Sequence, residues 1–110
     1  MDSVVTTEQP DAAADRTSRV ERLSGGRRIG YAEFGDPLGA PVVALHGTPG
    51  SRFMFALTDQ AARVRGLRII APERPGYGLS DDCRAASLTQ LAADAEALAD
   101  TLGLDRFAVL

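Results

Sequence analysis

The sequence predicts an α/β chain: a β-hairpin, then strand, helix, strand, helix and strand, with the later strands mostly parallel. Three observations carry this. Short apolar runs at Pro41–His46 and Leu67–Pro72 have strand length and end in turn-forming residues. Between and after them, apolar residues recur at helical spacing. Glycines then stand just past the last periodic position, at Gly66 and Gly103.

Residues 1–18 are rich in Asp, Ala, Thr and Ser without apolar periodicity. Such a composition buries too little surface to offset the entropy of ordering, and a flexible tail is expected. From Arg19 the texture changes. Val20 and Leu23, the turn signal Ser24-Gly25-Gly26 and the alternation from Arg28 to Phe34 predict a hairpin. Gly35-Asp36-Pro37 and Gly39 break the chain before Pro41-Val-Val-Ala-Leu-His46. That strand delivers a tight loop, Gly47-Thr-Pro-Gly-Ser51, able to aim backbone N–H groups at a negative charge.

Beyond the loop, Phe53, Leu57, Ala61 and Val64 form the stripe expected of a helix with one buried face. Leu67–Pro72 is the next strand, and Glu73-Arg-Pro-Gly-Tyr-Gly78 is its turn-rich exit. A strand-helix-strand unit implies a parallel pair, with both exit loops at the same end of the sheet, where open α/β sheets keep their sites. Ser87-Leu-Thr-Gln90 has the form of a capping box, and Leu88, Leu91, Ala95, Leu98 and Leu102 define the helix that follows. Phe107–Leu110 starts a further buried strand. A domain does not ordinarily finish inside an apolar strand, so a longer domain is expected.

Composition excludes several classes. The 110 residues make at most one domain with a net charge of −3. All twelve basic residues are Arg, and they are scattered, which argues against nucleic acid. A Walker-type phosphate loop needs Gly-Lys-Ser/Thr, and the chain has no lysine. No run approaches the roughly 18 apolar residues of a membrane span. The N-terminus has neither a basic nor an apolar leader region. Cys83 is the single cysteine, without a partner for a disulfide or a metal spacing, and it reads as an incidental thiol in a polar loop. A cytoplasmic setting is the expectation, with no metal and no cofactor.

His46-Gly47-Thr48-Pro49-Gly50 resembles the His-Gly-x-Pro oxyanion loop of the α/β-hydrolase superfamily. Glu73-Arg-Pro-Gly-Tyr-Gly-Leu-Ser80 resembles that family's Asp-x-x-Gly-x-Gly-x-Ser segment, with Glu73 in place of the more usual Asp, a position that usually acts structurally. The similarity runs from about Val20 to Leu110 and makes residues 19–110 an incomplete α/β-hydrolase domain, the N-terminal portion of its sheet. It implies an oxyanion-hole loop formed by His46, Gly47, Thr48 and Pro49. The main-chain N–H of Thr48 is the donor, Gly47 is required to be small, and Pro49 sets the conformation. The Thr48–Pro49 bond is open between cis and trans.

The resemblance also implies what these residues lack. The family's nucleophile sits on a Gly-x-Ser-x-Gly type elbow after the strand that Phe107–Leu110 begins, and its acid and base come later, so no catalytic residue is assigned here. His46 is the only histidine and reads as a structural residue of the loop; Ser51 and Ser80 read as capping or loop hydrogen-bonding groups. The expected function is the N-terminal segment of a hydrolase of ester, epoxide or similar bonds in a small molecule. The alternative is a non-catalytic fragment or pseudoenzyme with a binding or structural role. Substrate, nucleophile, cap domain and oligomeric state are left open.

Overall fold

The computed structural model describes residues 16–47, 50–82 and 87–110. Its centre is a five-stranded mixed sheet: β1 (Arg19–Arg22), β2 (Arg28–Gly35), β3 (Ala40–Val43), β4 (Leu67–Pro72) and β5 (Ala108–Val109), in the spatial order β1-β2-β4-β3-β5. The hairpin β1–β2 is antiparallel with Val20 opposite Gly30, and β2 continues antiparallel onto β4 with Phe34 opposite Ile69. Strands β4, β3 and β5 are parallel, Val42 standing beside Ile69 on one side and Ala108 on the other. The expected architecture is therefore the one found. Because β3 and β4 are parallel, the loops leaving their C-terminal ends emerge at one end of the sheet.

Helices cover both faces. On one face, Ala32, Phe34, Ala44, Ile69 and Ala71 pack with Ala62 and, at their margin, Phe55. On the other, Leu23, Ile29, Tyr31 and Ile70 pack with Leu98, flanked by Ala97, Leu102 and Leu104. Side chains along β2 and β4 thus alternate between two apolar layers, and both strands are buried on both sides. That burial includes Glu33 of β2. It is compensated by Arg68, whose Nε donates to Oε1 at 2.7 Å and Nη2 to Oε2 at 2.9 Å.

The segment after the first loop departs from expectation. Arg52–Thr58 is a 3-10 helix, and only Asp59–Val64 (α1) is α-helical. The proposed stripe Phe53, Leu57, Ala61 and Val64 is exposed, Leu57 almost fully at 98%. The inward positions are Phe55 and Ala62. Tighter winding at three residues per turn rotates the buried face away from a stripe calculated at 3.6.

The helix α2 (Leu88–Thr101) follows its reading more closely. Ser87 caps it by accepting from the Gln90 N–H at 3.1 Å. The Gln90 side chain, however, donates forward to Asp94 at 2.8 Å. Asp94 is buried and also accepts from Arg27. Leu91, Ala95 and Leu98 face inward as expected, while Leu88, in the first turn, is exposed. At the other end Gly103 (φ 74°) donates to Asp100 O and Leu104 to Ala99 O, a Schellman motif that consumes two terminal carbonyls. Strand β5 pairs with β3 but forms the sheet's edge, so Val109 and Leu110 are exposed where a buried strand was expected.

Of the expected tail, residues 1–15 lie outside the described residues. Arg16 and Thr17 are helical and partly buried.

Candidate functional site

The site is built where β3 and β4 hand over to their loops. At the end of β3, Ala44 N–H donates to Ile70 O at 2.9 Å, carrying the pairing one residue beyond the strand. His46 follows, 1% exposed. Its Nε2 accepts the main-chain N–H of Arg74 at 3.1 Å, and its Nδ1 lies 2.7 Å from Gly47 O. The Arg74 bond makes Nε2 the acceptor nitrogen, and Nδ1 then carries the proton given to Gly47 O. Arg74 Nε returns a bond to His46 O at 3.0 Å, and the Tyr77 ring closes over the imidazole at a centroid distance of 5.2 Å. Both ring nitrogens are thus occupied by loop contacts.

A second link ties the loops at Glu73, whose side chain is fully buried. Its carboxylate accepts the Arg52 main-chain N–H at 3.2 Å and the Arg52 Nη1 at 3.1 Å, and the Leu79 N–H at 2.8 Å. Arg52 is the first residue of the 3-10 helix, so the carboxylate also meets the positive end of that helix. Ser51 satisfies the next donor, accepting from Phe53 N–H at 3.1 Å. Arg52 reaches further: Nε donates to Thr17 O at 2.7 Å, and its guanidinium lies 4.3 Å from the centre of the Phe53 ring.

The β4 exit loop is fastened to β2 as well. Glu73 N–H donates to Gly30 O at 2.8 Å; Ser80 Oγ donates to Glu73 O at 2.8 Å and accepts from Gly30 N–H at 2.9 Å. A β-carbon on Gly30 would overlap Leu79. Asp81 receives the Arg28 N–H at 2.8 Å and its guanidinium at 2.9 Å. These bonds hold the Asp81 carboxyl below the usual carboxylate range and raise Arg28.

Of the residues singled out from the sequence, His46 and Gly47 are seen at the head of the loop. Thr48 and Pro49 lie outside the described residues, as does Cys83, so the proposed donor and the isomer of the Thr48–Pro49 bond are not described. Ser51 and Ser80 are a helix cap and a buried loop tie, as expected. The close fit expected at Gly47 falls on Gly50 instead. A β-carbon at Gly47 would meet only the Met54 methyl at 3.8 Å, whereas one at Gly50 would stand 3.0 Å from His46 Nδ1 and closer still to Gly47 O. Sequence reasoning missed Arg52. Its only signal was a basic residue heading one strand-exit segment and an acidic residue, Glu73, heading the other.

Among the described residues no group of three or more His, Cys, Asp or Glu could hold a metal ion. Nor, among them, is any helix long and apolar enough to cross a membrane.

No family model matches the chain. Over 92 residues it is 36% identical to epoxide hydrolase A of Mycobacterium tuberculosis, an alignment covering 78% of this chain and 28% of that protein. Over 54 residues it is 35% identical to a haloalkane dehalogenase of Psychrobacter cryohalolentis, covering 49% of this chain and 18% of the other. Among solved structures, epoxide hydrolase A from Mycobacterium thermoresistibile superposes with a TM-score of 0.73 at 28% identity, over 84% of this chain and 30% of that one. An esterase from Exiguobacterium antarcticum gives 0.71 at 28% identity, over 84% and 34%. The chain thus spans 28% or less of the length of these curated relatives.

Proposed function

Since this chain has the fold of the N-terminal part of an α/β hydrolase, we propose that it is the oxyanion-loop segment of a hydrolase acting on an ester, epoxide or similar bond of a small molecule. The observation that carries this reading is the engagement of His46. With Nε2 on Arg74 N–H and Nδ1 on Gly47 O, the only histidine serves the loop's conformation and leaves the chemistry at this position to main-chain donors. Similarity to epoxide hydrolase A over 92 residues supports it.

In such hydrolysis negative charge develops on oxygen. A prepositioned N–H stabilises it by roughly 2.7–4 kcal/mol, because the donor needs no reorganisation as the charge forms. Thr48 supplies one N–H, and the residue after the nucleophile supplies the other. The 110 residues contain no Gly-x-Ser-x-Gly elbow and no second histidine, so alone they catalyse nothing. No cofactor takes part, and the setting is cytoplasmic.

The test joins residues 16–110 to the remainder of epoxide hydrolase A of M. tuberculosis. The folded chimera hydrolyses an epoxide, and replacing Thr48 by its α-hydroxy acid, which removes the N–H by turning the Gly47–Thr48 amide into an ester, lowers kcat by about 10²–10³-fold. A folded but inactive chimera, or an unchanged kcat, would overturn the reading.

A further inference from the structure

We infer that Arg52 and Glu73 are positioning residues that set the aim of the proposed oxyanion loop; the inference rests on the reading of residues 46–49 given above. The loop between β3 and the 3-10 helix is anchored at two points flanking the proposed donor. On the N-terminal side His46 is held by Arg74 through both its ring and its carbonyl. On the C-terminal side the main-chain N–H of Arg52 is held by the Glu73 carboxylate. Both anchors belong to consecutive residues, Glu73 and Arg74, at the exit of β4. One short stretch of the central strand thus dictates both ends of the loop.

Glu73 differs from His46 in what its loss removes. A carboxylate with no exposed surface is tolerable only when its oxygens are filled by donors. Here the donors are two main-chain N–H groups on different loops, Arg52 and Leu79, with the Arg52 guanidinium supplying the compensating charge. Arg52 passes the restraint on to Thr17 O and stacks on Phe53. Because main-chain atoms are gripped directly, a change at residue 73 acts on loop backbone rather than on a side chain alone. A displacement of about 1 Å in a positioned group can cost about 10²-fold in rate.

The experiment has two arms. In the 110-residue chain, amide hydrogen exchange is followed for Glu73→Gln, which is the same size but sets an NH2 against one of the donors. Arg52 and Leu79 N–H should exchange at least about tenfold faster while Ile70, in β4, is unchanged. In the chimera the same substitution should lower kcat about 10²-fold with KM nearly constant, and Glu73→Asp should recover part of the loss. Should Glu73→Gln unfold the chain, Arg52→Lys, which keeps the charge but gives up the Nε bond to Thr17 O, is read in the same two ways.

Unchanged exchange at Arg52 and Leu79 would overturn the inference. So would a chimera that is active with wild-type residues and keeps its kcat with Gln at 73. An inactive wild-type chimera would instead sink the functional reading, and exchange alone would then decide this one.

Discussion

The carboxylate of Glu73 fills the space in which Gly78 would carry a β-carbon, and Gly78 itself sits at a φ of 49°. Two costs therefore meet at one position: left-handed backbone for an L-residue, and overlap with a buried charge that has no room to withdraw. Gly78→Ala is expected to lower the unfolding free energy by at least about 2 kcal/mol, read from the urea midpoint at constant slope. Gly25→Ala, where a β-carbon meets nothing within 4 Å, serves as control.

Tyr31 sets an alkaline limit. Its ring is fully buried, and burial, then the nearby Glu21 carboxylate, push the phenol up to about 12. Unfolded, the same group ionises near pH 10. Between those values the unfolded chain has released a proton that the folded chain retains, so stability falls as pH rises from 10 to 12 and is intact below. Chemical denaturation across that window should show the decline, and Tyr31→Phe should flatten it.

Asp59 sets an acid dependence of the opposite sign. Its Oδ1 accepts the Gly35 N–H at 2.7 Å, the main reason its carboxyl lies below the usual carboxylate range, with Arg63 adding to it. The contribution is present above about pH 4 and is lost as pH falls through the lowered value. Asp59→Ala should cost about 1 kcal/mol at neutral pH, and the gap to the parent should narrow as the pH falls below about 4.

The helical segment after the site loop offers a test of which face is buried. Leu57→Glu should shift stability by no more than about 0.5 kcal/mol, as an exposed substitution does. Phe55→Ala, on the face packed against Ala62 and Phe34, should cost about 3 kcal/mol. Thermal or urea unfolding of the two variants separates the readings directly.

That pair also marks how far the sequence could be read. Strands were legible because apolar runs such as Leu67–Pro72 are bounded by Gly66 and the turn after Pro72, and Gly103 announced the helix end whose Schellman bonds are found. The stripe Phe53-Leu57-Ala61-Val64 misled because spacing encodes a face only once the helix type is known, and Arg52–Thr58 winds as 3-10. Leu88 fell in the first turn of its helix, where it is exposed. Glu73 and Arg52 were out of reach for another reason. Their partnership joins the exits of two strands, and no local pattern records a contact that exists only once β3 lies beside β4.

Strand β5 carries a prediction about association. It is a sheet edge with Val109 and Leu110 exposed, and an unpaired apolar edge is a template for association. Sedimentation of the 110-residue chain should show concentration-dependent assembly, which Val109→Lys reduces. A monomer at all concentrations would count against it.

The order β1-β2-β4-β3-β5 also imposes a timetable on folding. The hairpin β1–β2 closes across a short turn, but β2 gains its second neighbour only when Phe34 finds Ile69, across the whole of β3, the site loop and α1. Loop-closure entropy delays that step, so the hairpin and the β3–β4 unit are expected to assemble apart and dock late. The ties from Gly30 to Glu73 and Ser80 form only at that docking. Substitutions there should hasten unfolding while leaving the refolding rate nearly unchanged, as the two arms of a chevron would record.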